Sequence, residues 1–109
     1  MLPKEKRSLK NSQIQKVFQK GATKKNLFFV LKYLKVEKGS TRFALVIGKK
    51  VDKKATVRNR IRRQIYEIIR LNYKNWEKPF WVVVLVHPNI FEKTYLELEE
   101  ALVPLLNFK

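Results

Sequence analysis

Apolar residues recur along this chain with two different periods, and the changes of period divide it into elements. Ile14, Val17 and Phe18 fall at helical spacing and form one apolar stripe. Asn11 or Ser12 stands where an N-cap is expected, and Gly21 follows as a stop, giving a helix over roughly 12–20. Residues 27–36, LFFVLKYLKV, are rich in aromatic and β-branched types and read as a strand. Glu37-Lys38-Gly39-Ser40 is a turn, and residues 41–48, TRFALVIG, are a second strand. These two strands are expected to pair as an antiparallel hairpin.

The longest periodic segment follows a basic connector over 49–55. Thr56 can cap a helix running to about Tyr73, in which Val57, Ile61, Ile65, Ile68 and Ile69 share one face at about 100° per residue. Asn59, Arg63, Tyr66 and Arg70 fall on the opposite side, flanked by Arg58, Arg60 and Arg62. After a loop at 75–79, FWVVVLV over 80–86 has no alternation, so it should be a strand covered on both faces or central in a sheet. His87-Pro88-Asn89 ends that strand. Thr94 and Glu97 form a capping box for a last helix with Leu98, Leu102 and Leu105 on its inner face, which Pro104 should kink or end. The order describes an α+β domain over residues 1–109, with helices on a small sheet and a basic arm at about 1–10. If 41–48 and 80–86 pair in parallel, the long helix is their crossover, right-handed by default.

Charge gives this outline a direction. The chain carries 25 Lys and Arg against 9 Asp and Glu, a net +16. Residues 1–63 hold 20 basic and 3 acidic side chains, net +17, and residues 64–109 hold 5 and 6, net −1. Such a field repels itself, and a polyanion relieves it, which points to nucleic acid or an anionic surface. No cysteine is present, which excludes a disulfide scaffold or a thiolate metal site and suits a reducing cytoplasm. No apolar signal segment is visible at the start, and the run at 80–86 is far below the ~20 residues that cross a bilayer, so no membrane role is expected.

Catalytic material is sparse. His87 is the one histidine and has no nucleophile or second histidine in its motif; Asp52 is the one aspartate, set among lysines. Glu97, Glu99 and Glu100 fit a solvated helix face. Gly21, Gly39 and Gly48 make no phosphate loop. Protein-borne catalysis and a protein metal site are therefore not expected.

The basic residues are dense instead. Lys49, Lys50, Lys53, Lys54, Arg58, Arg60, Arg62 and Arg63 lie within fifteen residues, with Asn59 among them. Guanidinium groups match phosphate oxygens bidentately, and Asn59 can meet a base edge, a 2′-hydroxyl or a phosphate. Lys4, Lys6, Arg7 and Lys10 in the arm and Lys16 and Lys20 in the first helix extend the field. Of the aromatics, Phe18 and Tyr33 are those expected outside the core, where a base could stack. An RNA-binding domain follows; a subunit of an RNA enzyme, a ribosomal or assembly protein, and a stand-alone nuclease all remain open from the residues alone.

Lys49-Lys50 followed by Ala55-Thr56-Val57-Arg58-Asn59-Arg60-Ile61-Arg62-Arg63, with Leu9, Lys16-Val17-Phe18 and Gly21 upstream, resembles the protein subunit of bacterial ribonuclease P over nearly the whole chain. The resemblance implies a mixed four-stranded sheet in the order α-β-β-β-α-β-α, a ribosomal-protein-like fold with a left-handed crossover. It implies removal of the 5′ leader of precursor tRNA, with hydrolysis by a Mg²⁺-dependent RNA subunit and one protein per RNA. The arginine motif and the lysines before it would contact that RNA. Ile14, Phe18, Lys32 and Val46 would line a cleft for the leader. Three of these positions depart from the family, which usually has phenylalanine at the place of Ile14, tyrosine at that of Lys32 and a small polar residue at that of Val46.

Overall fold

The computed structural model describes residues 9–37, 39, 41–47, 54–72, 79–90 and 93–106, the backbone alone at Asn89. Helix α1 spans Asn11–Lys20, β1 Ala22–Lys25, β2 Phe29–Lys35, β3 Arg42–Val46, α2 Ala55–Asn72, β4 Phe80–Val86 and α3 Tyr95–Leu102. The four strands form one sheet in the order β1-β2-β4-β3. β2 runs antiparallel to β1 and β4, and β3 runs parallel to β4. This is the expected α+β fold with a mixed four-stranded sheet, and arm residues 1–8 and connector residues 48–53 lie outside the described residues.

β4 is central because its sequence permits nothing else. Val82, Val83 and Val84 are fully buried, so both faces are covered, and strands occupy both edges. That placement corrects the expected hairpin: segments 27–36 and 41–48 do not pair with each other, because β4 lies between their strands. The actual hairpin joins β1 to β2. Asn26 makes it, its Oδ1 accepting from the N–H groups of Phe28 and Phe29, both at 2.9 Å, while its Nδ2 donates to Ala101 O at 2.8 Å on α3.

Each face of the sheet takes its own helices. Phe29, Leu31, Phe43, Val82, Val84 and Val86 pack with Ile61, Ile65, Ile68 and Ile69 of α2 and Leu98 and Leu102 of α3. The opposite face is smaller: Val17 of α1 packs on Ala44 and Val83, ringed by Leu9, Ile14, Leu34, Trp81 and Leu85. α1 begins one residue earlier than a cap at Asn11 would require, and two earlier than a cap at Ser12 would. Lys10 is the cap residue, and its N–H donates to Gln13 Oε1 at 2.8 Å. Leu9 and Ile14, before the cap and in the first turn, join one cluster and staple the entry of the helix.

α2 likewise starts at Ala55, which puts Thr56 inside its first turn. Its isoleucine stripe is buried as expected, but Tyr66 is a correction: it belongs to the core, not to the outer face. Tyr66 lies one turn before Ile69, and α3 with the 3-10 turn Val103–Leu106 packs beside α2, widening the buried stripe. The turn contains Pro104 and ends the last helix there, as read from the sequence.

The capping box of α3 is present. Glu97 N–H donates to Thr94 Oγ1 at 3.2 Å, and Thr94 N–H donates to Glu97 Oε1 at 3.1 Å. The Thr94 backbone N–H, then its hydroxyl, hold the Glu97 carboxyl below its ordinary range, with Lys93 adding to it. Thr94→Ala is expected to cost about 1 kcal/mol in urea unfolding at neutral pH. A carboxylate with a depressed folded pKa stabilises above its unfolded range and ceases to as pH falls through the folded value. The part of the penalty that comes from the hydroxyl's bond to the carboxylate should therefore shrink in acid; an equal penalty at pH 7 and pH 3 would show that the Thr94 hydroxyl does not support the Glu97 carboxylate.

Candidate nucleic-acid interface

The inner face of α2 is fixed by its isoleucines, so its remaining side must carry the charges. Asn59, Arg60 and Arg63 are exposed, and Arg58 and Arg62 are half-buried. Arg62 donates from Nη1 to Asn59 Oδ1 at 2.9 Å, which orients both side chains along one face. Neither Arg60 nor Arg63 has a hydrogen-bond or ion-pair partner among the described residues. Arg70, assigned to this side from the sequence, differs. It donates from Nε to Glu67 Oε1 at 3.0 Å, and this arginine draws the Glu67 carboxyl down to about 2. The uncompensated charge is thus confined to the first half of α2. Lys54 is exposed just before it, and Lys49, Lys50 and Lys53 lie outside the described residues.

A second site forms on the opposite face, beside α1. Strand register places Thr23, Lys32, Val83 and Ala44 in one row across the sheet and Lys25, Val30, Leu85 and Val46 in the next. The first row is covered at its centre by Val17. The second extends beyond the helix: Val30 and Leu85 are half-buried, and Val46 is 42% exposed. Phe18, also 42% exposed, overlooks this boundary, with Lys32 Nζ 5.5 Å from its ring centroid. Lys32 Nζ also donates to Thr23 Oγ1 at 3.0 Å. The structure thus brings Phe18 and Lys32 together. Half-buried Ile14 belongs to the cluster beneath α1, and Val46 stands at the edge of the open row.

Tyr33 faces the other way. It packs on the α2 side, its ring 6.2 Å from that of Phe80 in an edge-to-face arrangement, so it is not a stacking platform on the α1 side. Thr23, Val30 and Leu85 do not stand out in the sequence. Their alternation is legible, but their neighbours are set by the β2–β4 and β3–β4 registers. His87 is exposed at the end of β4, its N–H donating to Phe28 O at 2.9 Å.

A mixed sheet with helices on both faces, one bearing unbalanced arginines and the other flanking a cationic apolar groove, defines a small basic α+β protein built around two surfaces. The family model for ribonuclease P matches residues 2–108. The ribonuclease P protein component of Finegoldia magna is 36% identical over 93 residues, 85% of this chain and 80% of that one. That of Clostridium acetobutylicum is 33% identical over 106 residues, 95% of this chain and 88% of the other. The solved RNase P protein of Thermotoga maritima superposes with a TM-score of 0.75 at 29% identity, covering 85% of this chain and 87% of that one. The chain belongs to the ribonuclease P protein family, the protein component of an RNA-processing ribonucleoprotein endoribonuclease. Among the described residues no helix is long and apolar enough to cross a membrane.

Proposed function

We propose that α2 docks this protein onto the catalytic RNA, one protein per RNA in the cytoplasmic holoenzyme, while the groove beside α1 holds the 5′ leader of precursor tRNA. The observation that carries the first half is the pair Arg60 and Arg63, exposed on a helix anchored by its isoleucine face and without an acidic partner among the described residues. Fixed guanidinium groups on a rigid element suit a phosphate-lined groove. The second half is supported by Phe18, exposed beside Lys32, a pair suited to one base and its phosphate. The described residues bring together no group of three or more His, Cys, Asp or Glu that could hold a metal ion. In this proposal Mg²⁺ and the hydrolysis belong to the RNA. The protein contributes binding and positioning.

Reconstitution tests this. The protein is mixed with a bacterial ribonuclease P RNA and precursor tRNA at Mg²⁺ too low for the RNA alone. Cleavage at the mature 5′ end should be restored only when both protein and RNA are present. Cleavage by the protein without the RNA, or no rescue with it, would overturn the reading.

A further inference from the structure

Asparagine is a poor helix former, because its carboxamide competes for the backbone. α2 contains two, Asn59 and Asn72, and they are held in opposite senses. Asn72 donates from Nδ2 to Ile68 O at 2.8 Å, so its nitrogen is turned in on its own helix. Asn59 instead has its oxygen engaged, Oδ1 accepting from Arg62 Nη1 at 2.9 Å. A guanidinium carries donors and no acceptor, so Arg62 can take only the oxygen of that group. The oxygen is thereby turned along the helix, and the nitrogen, at the other corner of a planar carboxamide, is turned away from it. Asn59 is exposed, and its Nδ2 has no partner among the described residues. Arg62 is half-buried, the more constrained of the pair.

We propose that Arg62 is a positioning residue for Asn59, and that Asn59 donates from Nδ2 to a phosphate oxygen of the catalytic RNA. The inference rests on the docking of α2 proposed above and divides its arginines. Arg60 and Arg63 meet the RNA themselves, whereas Arg62 acts through its neighbour. An unheld asparagine gives up side-chain freedom on binding and can present either end; a held one arrives with its donors already placed. The two-ended contact that asparagine makes with adenine needs its oxygen as well as its nitrogen, and here Arg62 engages the oxygen. A donor set among exposed guanidinium groups meets the acceptor those groups select, which is phosphate.

The test is equilibrium binding of a ribonuclease P RNA to the full chain, near physiological salt, where charges beyond ~8 Å are screened. Asn59→Ala should weaken binding by about tenfold or more, as loss of a hydrogen bond to a charged group does. It should not lower Tm, because alanine is the better helix former. Arg62→Met should cost roughly fivefold or more in the native chain, and less than about twofold once Asn59 is alanine. Arg62→Lys keeps a donor for Oδ1 and should recover most of the loss. Ethylation of the RNA phosphates, followed by separation of bound from free RNA, locates the contact. Asn59→Ala and Arg62→Met should abolish interference at one and the same phosphate. The inference is overturned if Arg62→Met costs as much in the alanine background, if it erases a different phosphate, or if Arg62→Lys binds no better than Arg62→Met. RNA carrying 7-deazapurines or purine riboside overturns it too, if Asn59→Ala removes an interference there, since Asn59 would then read a base. If Asn59→Ala alone leaves affinity intact, the inference fails and the docking of α2 stands; if Arg60→Ala with Arg63→Ala leaves it intact as well, the docking falls with it.

Discussion

Replacing Arg60 and Arg63 together by alanine is expected to weaken binding to the catalytic RNA by about 2–4 kcal/mol at low salt, roughly 30- to 1,000-fold. The salt dependence should flatten by about one unit of slope for each phosphate that is no longer neutralised. The domain should stay folded. Both side chains are exposed, and alanine is the stronger helix former. Arg70→Ala supplies the control. It removes one of the same charges from the same helix, half of what the double variant removes, ten residues beyond Arg60 and thus about 15 Å along the axis, where Glu67 already neutralises it. If RNA affinity depends on where charge is placed, Arg70→Ala changes it little. Equal losses per charge removed in the two variants would show that the RNA senses only net charge, and α2 would not be a docking face.

The basis of that contrast is half visible in the sequence. The isoleucine spacing fixes the inner face of α2, because a period of 3.6 allows one core-facing stripe. The arginine side is its complement. Arg70 belongs to it by phase alone; its pairing with Glu67 is an i, i+3 contact that the phase does not distinguish from solvent exposure. Phase misplaces Tyr66 for a related reason. The width of a buried stripe depends on what packs alongside, and α3 comes to α2 from thirty residues downstream.

β2, β3 and β4 are legible as segments and not as neighbours, whereas the strand Ala22–Lys25 is not read from its own residues. The unbroken apolar run of β4 announces burial on both faces, and β4 takes the place beside β2 that proximity in sequence assigns to β3. Nothing local can reveal this, since the β3–β4 pairing closes only after α2 has crossed the sheet. The leader groove inherits that limitation. Phe18 and Lys32 stand out through the family resemblance, whereas Val30 and Leu85 join them only through the β2–β4 register. Asn26 does carry a local signal, an Asx turn before an aromatic strand, and it sets the β1–β2 hairpin.

Gly21 shows how one such position couples fold to site, and Gly21→Ala is the second substitution with a large expected effect. Its backbone is extended, with φ −81° and ψ 164°, so it is not kept for a left-handed turn, as its place after a helix suggests. Proximity requires it. A Cβ there would lie 2.5 Å from Val17 O and 2.6 Å from Tyr33 O, both main-chain atoms that cannot rotate away. Gly21 N–H donates to Val17 O at 2.8 Å, and the next residue, Ala22, is paired with Tyr33, so the end of α1 is pressed against β2. Alanine must lift one from the other, at a cost of about 1–3 kcal/mol, or roughly 5–20 °C in Tm for a domain of this size. The displacement falls between Phe18 and Lys32, which sit on the two elements being forced apart. Leader-dependent binding should therefore drop further than the stability loss accounts for, at a temperature where the variant is still folded. Affinity of the α2 face for the catalytic RNA should hold, because α1 and α2 pack on opposite faces of the sheet. Thermal unfolding followed by circular dichroism, with binding of precursor tRNA with and without its leader, checks both halves. An unchanged Tm would refute the close approach, and equal loss of both affinities would refute the separation of the two surfaces.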